Sequence, residues 1–203
     1  GTVGPVYEGV EARIDAQTGE IQMRSPAVMT GYYRMPEQTR DAFSADGWLR
    51  TGDKGQIDAQ GRLRITGRIK DLFKTSKGKY VAPAPIEDRL VMHDAVEACA
   101  VTGANLGQPL GIAMLNLEGI TRAKNAEGRK EIETSLAEHL KVINDKLDPH
   151  EQLDCVVVVT EPWSVDNGFI TPTFKVKRNR IEEVYGPNYE SWVGSRKKVI
   201  WSA

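Results

Sequence analysis

Five apolar residues, Ile132, Leu136, Leu140, Ile143 and Leu147, stand 4, 4, 3 and 4 positions apart. That spacing puts them on one stripe and predicts an amphipathic helix over 127–147. The first third of the chain carries no such period. Partial alternation over 6–14, a Gln17-Thr18-Gly19 turn and a second apolar stretch at 20–24 predict a pair of short strands. Strands are also predicted at 48–50, 55–58 and 62–65, with a short helical segment after Pro36. Asp58-Ala59-Gln60-Gly61 reads as a hairpin turn, Gly61 supplying the positive φ such loops favour. Up to about residue 68 the pattern is therefore β-rich with tight turns.

From Ile69 onward strands and helices interleave. Residues 71–74 and 79–81 predict a small hairpin around Ser76-Lys77-Gly78. Pro83 and Pro85 open a helix through about Met92, because proline is tolerated where an N–H is unpaired anyway. Residues 95–103, 110–117 and 153–160 are strand-like, and a last helix is predicted from about Lys177 to Tyr185. Strands mixed with helices on a small sheet predict an α+β fold class.

Composition narrows the class without choosing a function. Hydrophobic residues make up 40% and charged residues 27% of 203, as in soluble globular domains. No apolar run approaches the roughly 18–20 residues a membrane-spanning helix needs. Gly1 to Pro5 has neither the basic nor the apolar part of a signal peptide, and the absence of an initiator Met suggests a piece of a longer chain. Cys99 and Cys155 lie in apolar surroundings, which suggests two free buried thiols and a cytoplasmic address. A net charge of −1 argues against a uniformly basic nucleic-acid binder.

The charges are clustered, however. Arg64, Arg68, Lys70, Lys74, Lys77 and Lys79 form one island, opposed by Asp71, and Lys175, Lys177, Arg178 and Arg180 form another. Such islands suit a small anionic ligand, such as a nucleotide or a phosphorylated carrier; they also suit two solvated basic faces. Common phosphate loops and the G-x-S-x-G elbow are absent. His93, His139, His150 and the cysteines have no metal-ligand spacing, so no metal site is expected and each histidine reads as a surface or helix-end residue.

Four ordered blocks carry more information. They are Gly31-Tyr32-Tyr33; Gly47-Trp48-Leu49-Arg50-Thr51-Gly52-Asp53; the run from Asp58 through Gly67-Arg68-Ile69-Lys70-Asp71 to Lys74, Gly78, Val81, Pro83 and Ile86-Glu87; and Thr171-Pro172-Thr173-Phe174-Lys175-Val176-Lys177-Arg178. Together they resemble the acyl-adenylate-forming, AMP-binding superfamily, in its long-chain fatty acid–CoA ligase branch and over its C-terminal portion only. The resemblance implies a β-barrel-like end of the large domain at 1–69 and a small mobile domain at 70–203.

It also implies a reaction. ATP with Mg2+ and a fatty acid give an acyl-adenylate and pyrophosphate, and coenzyme A then displaces AMP. Asp53 and Arg68 resemble the nucleotide-binding pair, Asp53 accepting hydrogen bonds from the ribose hydroxyls. Lys70 is similar to the hinge residue. Ser76, Lys77, Gly78 and Lys79 resemble the loop that serves thioester formation. Lys175 is similar to the catalytic lysine of adenylation, where a compact ammonium stabilises developing negative charge. Phe174 stands where the general pattern has Gly, which matches the long-chain branch and suggests a loop without positive-φ freedom. Glu87 is expected to complement a helix N-terminus, and Lys177 and Arg178 to be solvated or to meet phosphate incidentally. The phosphate loop, adenine pocket and acyl tunnel lie in an N-terminal domain outside this sequence, so the chain by itself is expected to be inactive and to hold no ligand tightly. The resemblance leaves room for another acid or a carrier-protein acceptor, for a non-catalytic interaction module, and for peripheral membrane association of the parent.

Overall fold

Two aspartate–glycine turns build the first sheet. Asp15 Oδ1 accepts the N–H groups of Gln17 (3.1 Å) and Thr18 (2.8 Å), and Gly19 takes φ +72°. The turn joins β2 (Glu11–Ile14) to β3 (Glu20–Arg24), with Ile14 opposite Ile21. Asp58 Oδ1 likewise accepts from Gln60 and Arg62 at 2.9 Å, with Gly61 at φ +72°, and joins β4 (Leu49–Ile57) to β5 (Arg62–Arg68). With β1 (Gly4–Pro5) the order is β1-β5-β4-β3-β2, all antiparallel, and helix α1 (Pro36–Asp41) lies between β3 and β4 in sequence. The computed structural model describes residues 2–202.

The sequence pattern divides 48–58 into two strands, but β4 is continuous. Gly52 takes φ +73° and the register shifts between Lys54 and Gly55, so the side-chain pattern breaks while the ladder persists. In this sheet the Trp48 ring is contacted by the guanidinium groups of Arg13 (4.5 Å) and Arg24 (4.6 Å). Those two arginines are held by Asp46 and Glu11 at 2.6 and 2.8 Å.

The chain divides into two compact units, one ending at Leu72 and the next beginning at Phe73. The second opens with a hairpin of β6 (Phe73–Lys74) and β7 (Tyr80–Val81), then α2 (Pro83–Leu90), which stops two residues short of Met92. Its sheet contains β8 (Val96–Thr102), β9 (Leu110–Leu115), β10 (Val156–Val159) and β11 (Val199–Trp201) in the order β11-β10-β9-β8. β8 runs antiparallel to β9, whereas β9, β10 and β11 are parallel. The crossover from β9 to β10 passes through α3 (Leu117–Arg122) and α4 (Ala126–Asn144); that from β10 to β11 passes through α5 (Arg178–Tyr185) and α6 (Tyr189–Gly194). The α+β class expected from the pattern is the class observed.

Both faces of this sheet are covered, which explains why Val156 to Val159 show no alternation. Val156 and Val158 join a core with Ile86, Leu90 and the α4 stripe Ile132, Leu136, Leu140 and Ile143. Val157 and Val159 face the opposite core, with Trp163, Phe169, Ile181, Tyr185 and Tyr189. The two helices of the β9–β10 crossover begin alike: Asn116 caps α3 by accepting the Gly119 N–H, and Asn125 caps α4 by accepting the Gly128 N–H, each at 2.8 Å. Among the described residues no helix is long and apolar enough to cross a membrane.

Candidate functional site

In the first unit the expected nucleotide-binding residues face each other across two strands. Asp53 on β4 and Arg68 on β5 are cross-strand partners, with Nε of Arg68 3.3 Å from Oδ1 of Asp53. Thr51 steadies the approach by accepting the Asp53 N–H at 3.1 Å while donating to the Ile21 carbonyl at 2.7 Å. Glu20, which the motifs do not mark, is 3% exposed and accepts from the Gly52 N–H (2.9 Å) and Arg50 Nε (3.1 Å). A buried carboxylate holding the backbone at Gly52 fixes the turn that aims Asp53. A groove of about 620 Å³ beside them is lined by Glu20, Arg50, Thr51, Gly52, Arg68 and Lys70, among others. Lys70 itself is exposed in a one-turn 3₁₀ helix, Ile69–Asp71, that closes this unit.

The hairpin at the start of the second unit carries the expected thioester loop. Ser76, Lys77, Gly78 and Lys79 are all exposed at its tip. Buried Thr75 closes the turn: its N–H donates to the Lys79 carbonyl (2.9 Å) and its carbonyl accepts the Gly78 N–H (2.9 Å). Gly78 needs φ +77°, and a Cβ there would meet only Lys74 Cε at 3.7 Å, so conformation and not space selects glycine. The loop docks on residues 105–108: Ser76 N–H donates to Leu106 O, Asn105 N–H to Lys74 O, and Lys77 Nζ to Gln108 Oε1 at 3.5 Å.

Lys175 lies on a second loop, a tight turn rooted in aromatic packing. Ile170 and Val176 form a β-bridge, and the Lys177 N–H donates to the carbonyl of Phe169, which is 3% exposed. Phe169 stacks with Trp163 (5.9 Å) and Tyr185 (5.6 Å). Within the turn Thr171 N–H donates to Lys175 O (2.8 Å), Phe174 N–H to Thr171 O (2.8 Å) and Lys175 N–H to Thr171 Oγ1 (3.1 Å). The Lys175 side chain is exposed, and among the described residues its ammonium has no acidic partner.

Three expectations need correction here. Phe174 adopts φ +59°, so the loop keeps the left-handed turn without glycine. The turn's hydrogen bonds over-determine that conformation, at a cost of about 1–3 kcal/mol for a non-glycine residue. Glu87 sits in the second turn of α2 and does not serve its N-terminus. Its carboxylate accepts the Val101 N–H at 2.6 Å and an Arg178 N–H at 2.6 Å, and Arg178 also donates to the Val101 carbonyl at 3.1 Å. Arg178 is thus a tie between α2, β8 and α5, not a solvated cation.

Residues 70–191 match the family described as AMP-binding enzyme C-terminal domain. The chain belongs to that family. It is 35% identical over 187 residues to Long chain acyl-CoA synthetase 7, peroxisomal, of Arabidopsis thaliana, covering 82% of this chain and 26% of that one. It is 33% identical over 204 residues to Long-chain-fatty-acid–CoA ligase FadD15 of Mycobacterium tuberculosis, covering 94% of this chain and 34% of the relative. The chain thus spans about a quarter to a third of the curated relatives it matches. Among solved structures, ATP-bound MatB from Rhodopseudomonas palustris aligns with a TM-score of 0.67 at 28% identity, over 93% of this chain and 36% of that one. The A domain of a carboxylic acid reductase from Segniliparus rugosus, solved with AMP, shares the fold at a TM-score of 0.76 and 22% identity, over 95% and 32%.

Elsewhere this AMP-binding enzyme C-terminal domain holds a cluster that resembles a hydrolytic triad in composition and not in wiring. His93 Nε2 lies 3.1 Å from Ser135 Oγ, while Nδ1 accepts the Ala95 N–H (3.2 Å) and stands 3.2 Å from Asp94 Oδ1. Ser135 Oγ donates to the Ile132 carbonyl at 3.2 Å, so its proton is not aimed at the imidazole. His93 is buried, which the sequence expectation of a surface or helix-end residue did not anticipate; it stacks edge-on against His139 at 5.3 Å, and burial lowers its pKa below the ordinary 6.5. Both cysteines are free, and burial raises each thiol to about 12. Among the described residues no group of three or more His, Cys, Asp or Glu could hold a metal ion. A larger groove of about 780 Å³ between α4 and β11 contains no motif residue, so size alone does not select the site.

Proposed function

We propose that these residues form the C-terminal part of a long-chain fatty acid–CoA ligase, inactive without the N-terminal domain that completes the enzyme. The observation that carries this reading is the similarity of more than four-fifths of the chain to proteins named as long-chain acyl-CoA synthetases and ligases. In the first half-reaction a carboxylate oxygen attacks the α-phosphorus of ATP, bound with Mg2+, and pyrophosphate leaves. Asp53 would accept hydrogen bonds from the ribose hydroxyls and Arg68 would face the phosphate side. Lys175 would meet the negative charge that grows on the carboxylate and α-phosphate oxygens. In the second half-reaction the thiol sulfur of coenzyme A bonds to the acyl carbon, AMP leaves and the thiol proton is released. The Ser76–Lys79 hairpin would then replace the Lys175 loop, by rotation of the small domain about Lys70.

The test is ATP–pyrophosphate exchange with a long-chain fatty acid and Mg2+. The complete enzyme that carries this sequence should exchange, the 203-residue chain alone should not, and Lys175→Ala should lower exchange by about 100- to 1,000-fold. Thioester formation from supplied acyl-adenylate should survive that substitution. Exchange by the isolated chain, or an inert complete enzyme, would refute the proposal.

A further inference from the structure

Phe174 is unusual in two ways at once. It holds a left-handed backbone that glycine would adopt without strain, at φ +59°, and its ring is 85% exposed. The backbone does not need a ring there, and the folded unit does not bury it. The turn around it is rigid: Thr171 closes it through its N–H, carbonyl and Oγ1, and Oγ1 of Thr173 lies 3.0 Å from Oγ1 of Thr171. Phe169 and the Ile170–Val176 bridge anchor its base. The loop therefore presents an exposed ammonium and an exposed aromatic ring on adjacent residues.

We infer that the Phe174 ring is a second substrate-contacting group of the adenylation step, an apolar cap that enters with Lys175 and covers the acyl-phosphate linkage against water. This rests on the function proposed above. Burying the ring would strengthen the charge–charge contact of Lys175, because excluding water lowers the local dielectric. It would also protect the product. Uncapped acyl-adenylate is open to water, whose oxygen bonds to the acyl carbon as the carbon–oxygen bond to the phosphate breaks, giving free acid, AMP and a proton. Full burial of one phenylalanine is worth about 10- to 100-fold in rate.

The experiment uses the complete enzyme with ATP, Mg2+ and a long-chain fatty acid, without coenzyme A. Pyrophosphate exchange and AMP release are read together for the wild type, Phe174→Gly, Phe174→Ala and Phe174→Leu. Gly and Ala should each lower exchange about 10- to 100-fold, raise AMP released per exchange event, and leave KM for ATP within about threefold. Leu should recover most of the loss. Urea unfolding of Phe174→Gly should be no easier than that of the wild type, since the substitution relieves strain. Wild-type exchange in Phe174→Gly, or Leu no better than Gly, overturns the inference and leaves the proposed function standing. A wild-type enzyme that does not exchange overturns both.

Discussion

Glu87→Ala tests the tie that holds the start of α5. The substitution removes the acceptor of the Val101 N–H and one acceptor of the Arg178 guanidinium, which keeps its bond to the Val101 carbonyl. Breaking a fully buried pair by removing one partner costs about 3–5 kcal/mol. The side chains retain 16% exposure at Glu87 and 28% at Arg178, so water takes over part of the lost contact. We therefore expect a loss of about 2–4 kcal/mol, and a smaller loss of about 1–2 kcal/mol for Glu87→Gln, which keeps an acceptor. Arg178→Ala leaves Glu87 its Val101 N–H, so the double alanine variant should be less destabilised than the sum of the singles by about 1–2 kcal/mol. The assay is urea denaturation followed by tryptophan fluorescence in a Trp48→Phe background, where Trp163, Trp192 and Trp201 all lie in the second unit. A Glu87→Ala variant within about 0.5 kcal/mol of its parent would refute the reasoning, as would strictly additive single losses.

Two other outcomes follow from packing and burial. Gly128→Ala should destabilise by about 1–3 kcal/mol despite alanine's better helix propensity, because a Cβ there would lie 2.1 Å from the Arg122 carbonyl oxygen; a more stable variant in the same urea assay would contradict this. Cys99 and Cys155, with thiols raised to about 12 from an ordinary 9.0, should resist alkylation by iodoacetamide at pH 8 until urea unfolds the chain. The sign of their linkage follows: between these values the unfolded chain gives up thiol protons that the folded chain keeps, so their contribution is full below about pH 9 and is lost as pH rises toward 12. Replacing both by Ala should flatten that part of the stability profile.

Local chemistry made much of this molecule legible before any coordinates. The Asp15 and Asp58 turns, the stripe on α4 and the hairpin at Gly78 each depend on residues within a few positions, and each lies where the pattern put it. The four motif blocks are contiguous strings and so could be read off the sequence, whereas the contacts their residues make could not. Elements whose reasons lie elsewhere in the chain were not legible. α3, α6 and β11 are short and carry no period of their own; the helices form against the sheet, and β11 forms by pairing along β10.

The sequence by itself determined the α+β class, the turn positions and the family, because hydrophobic period, turn residues and ordered motifs are local properties of the string. Tertiary structure decided what the polar side chains do. Glu20 steers Gly52 from 32 positions away, and Glu87 finds Arg178 across 91 positions, neither of which spacing can reveal. It also decided that Phe174 takes a glycine-like conformation, since the hydrogen bonds of Thr171 and the anchored Phe169 hold a backbone that the residue alone would avoid. Propensity describes an isolated residue, whereas a packed turn selects the conformation that all of its bonds share.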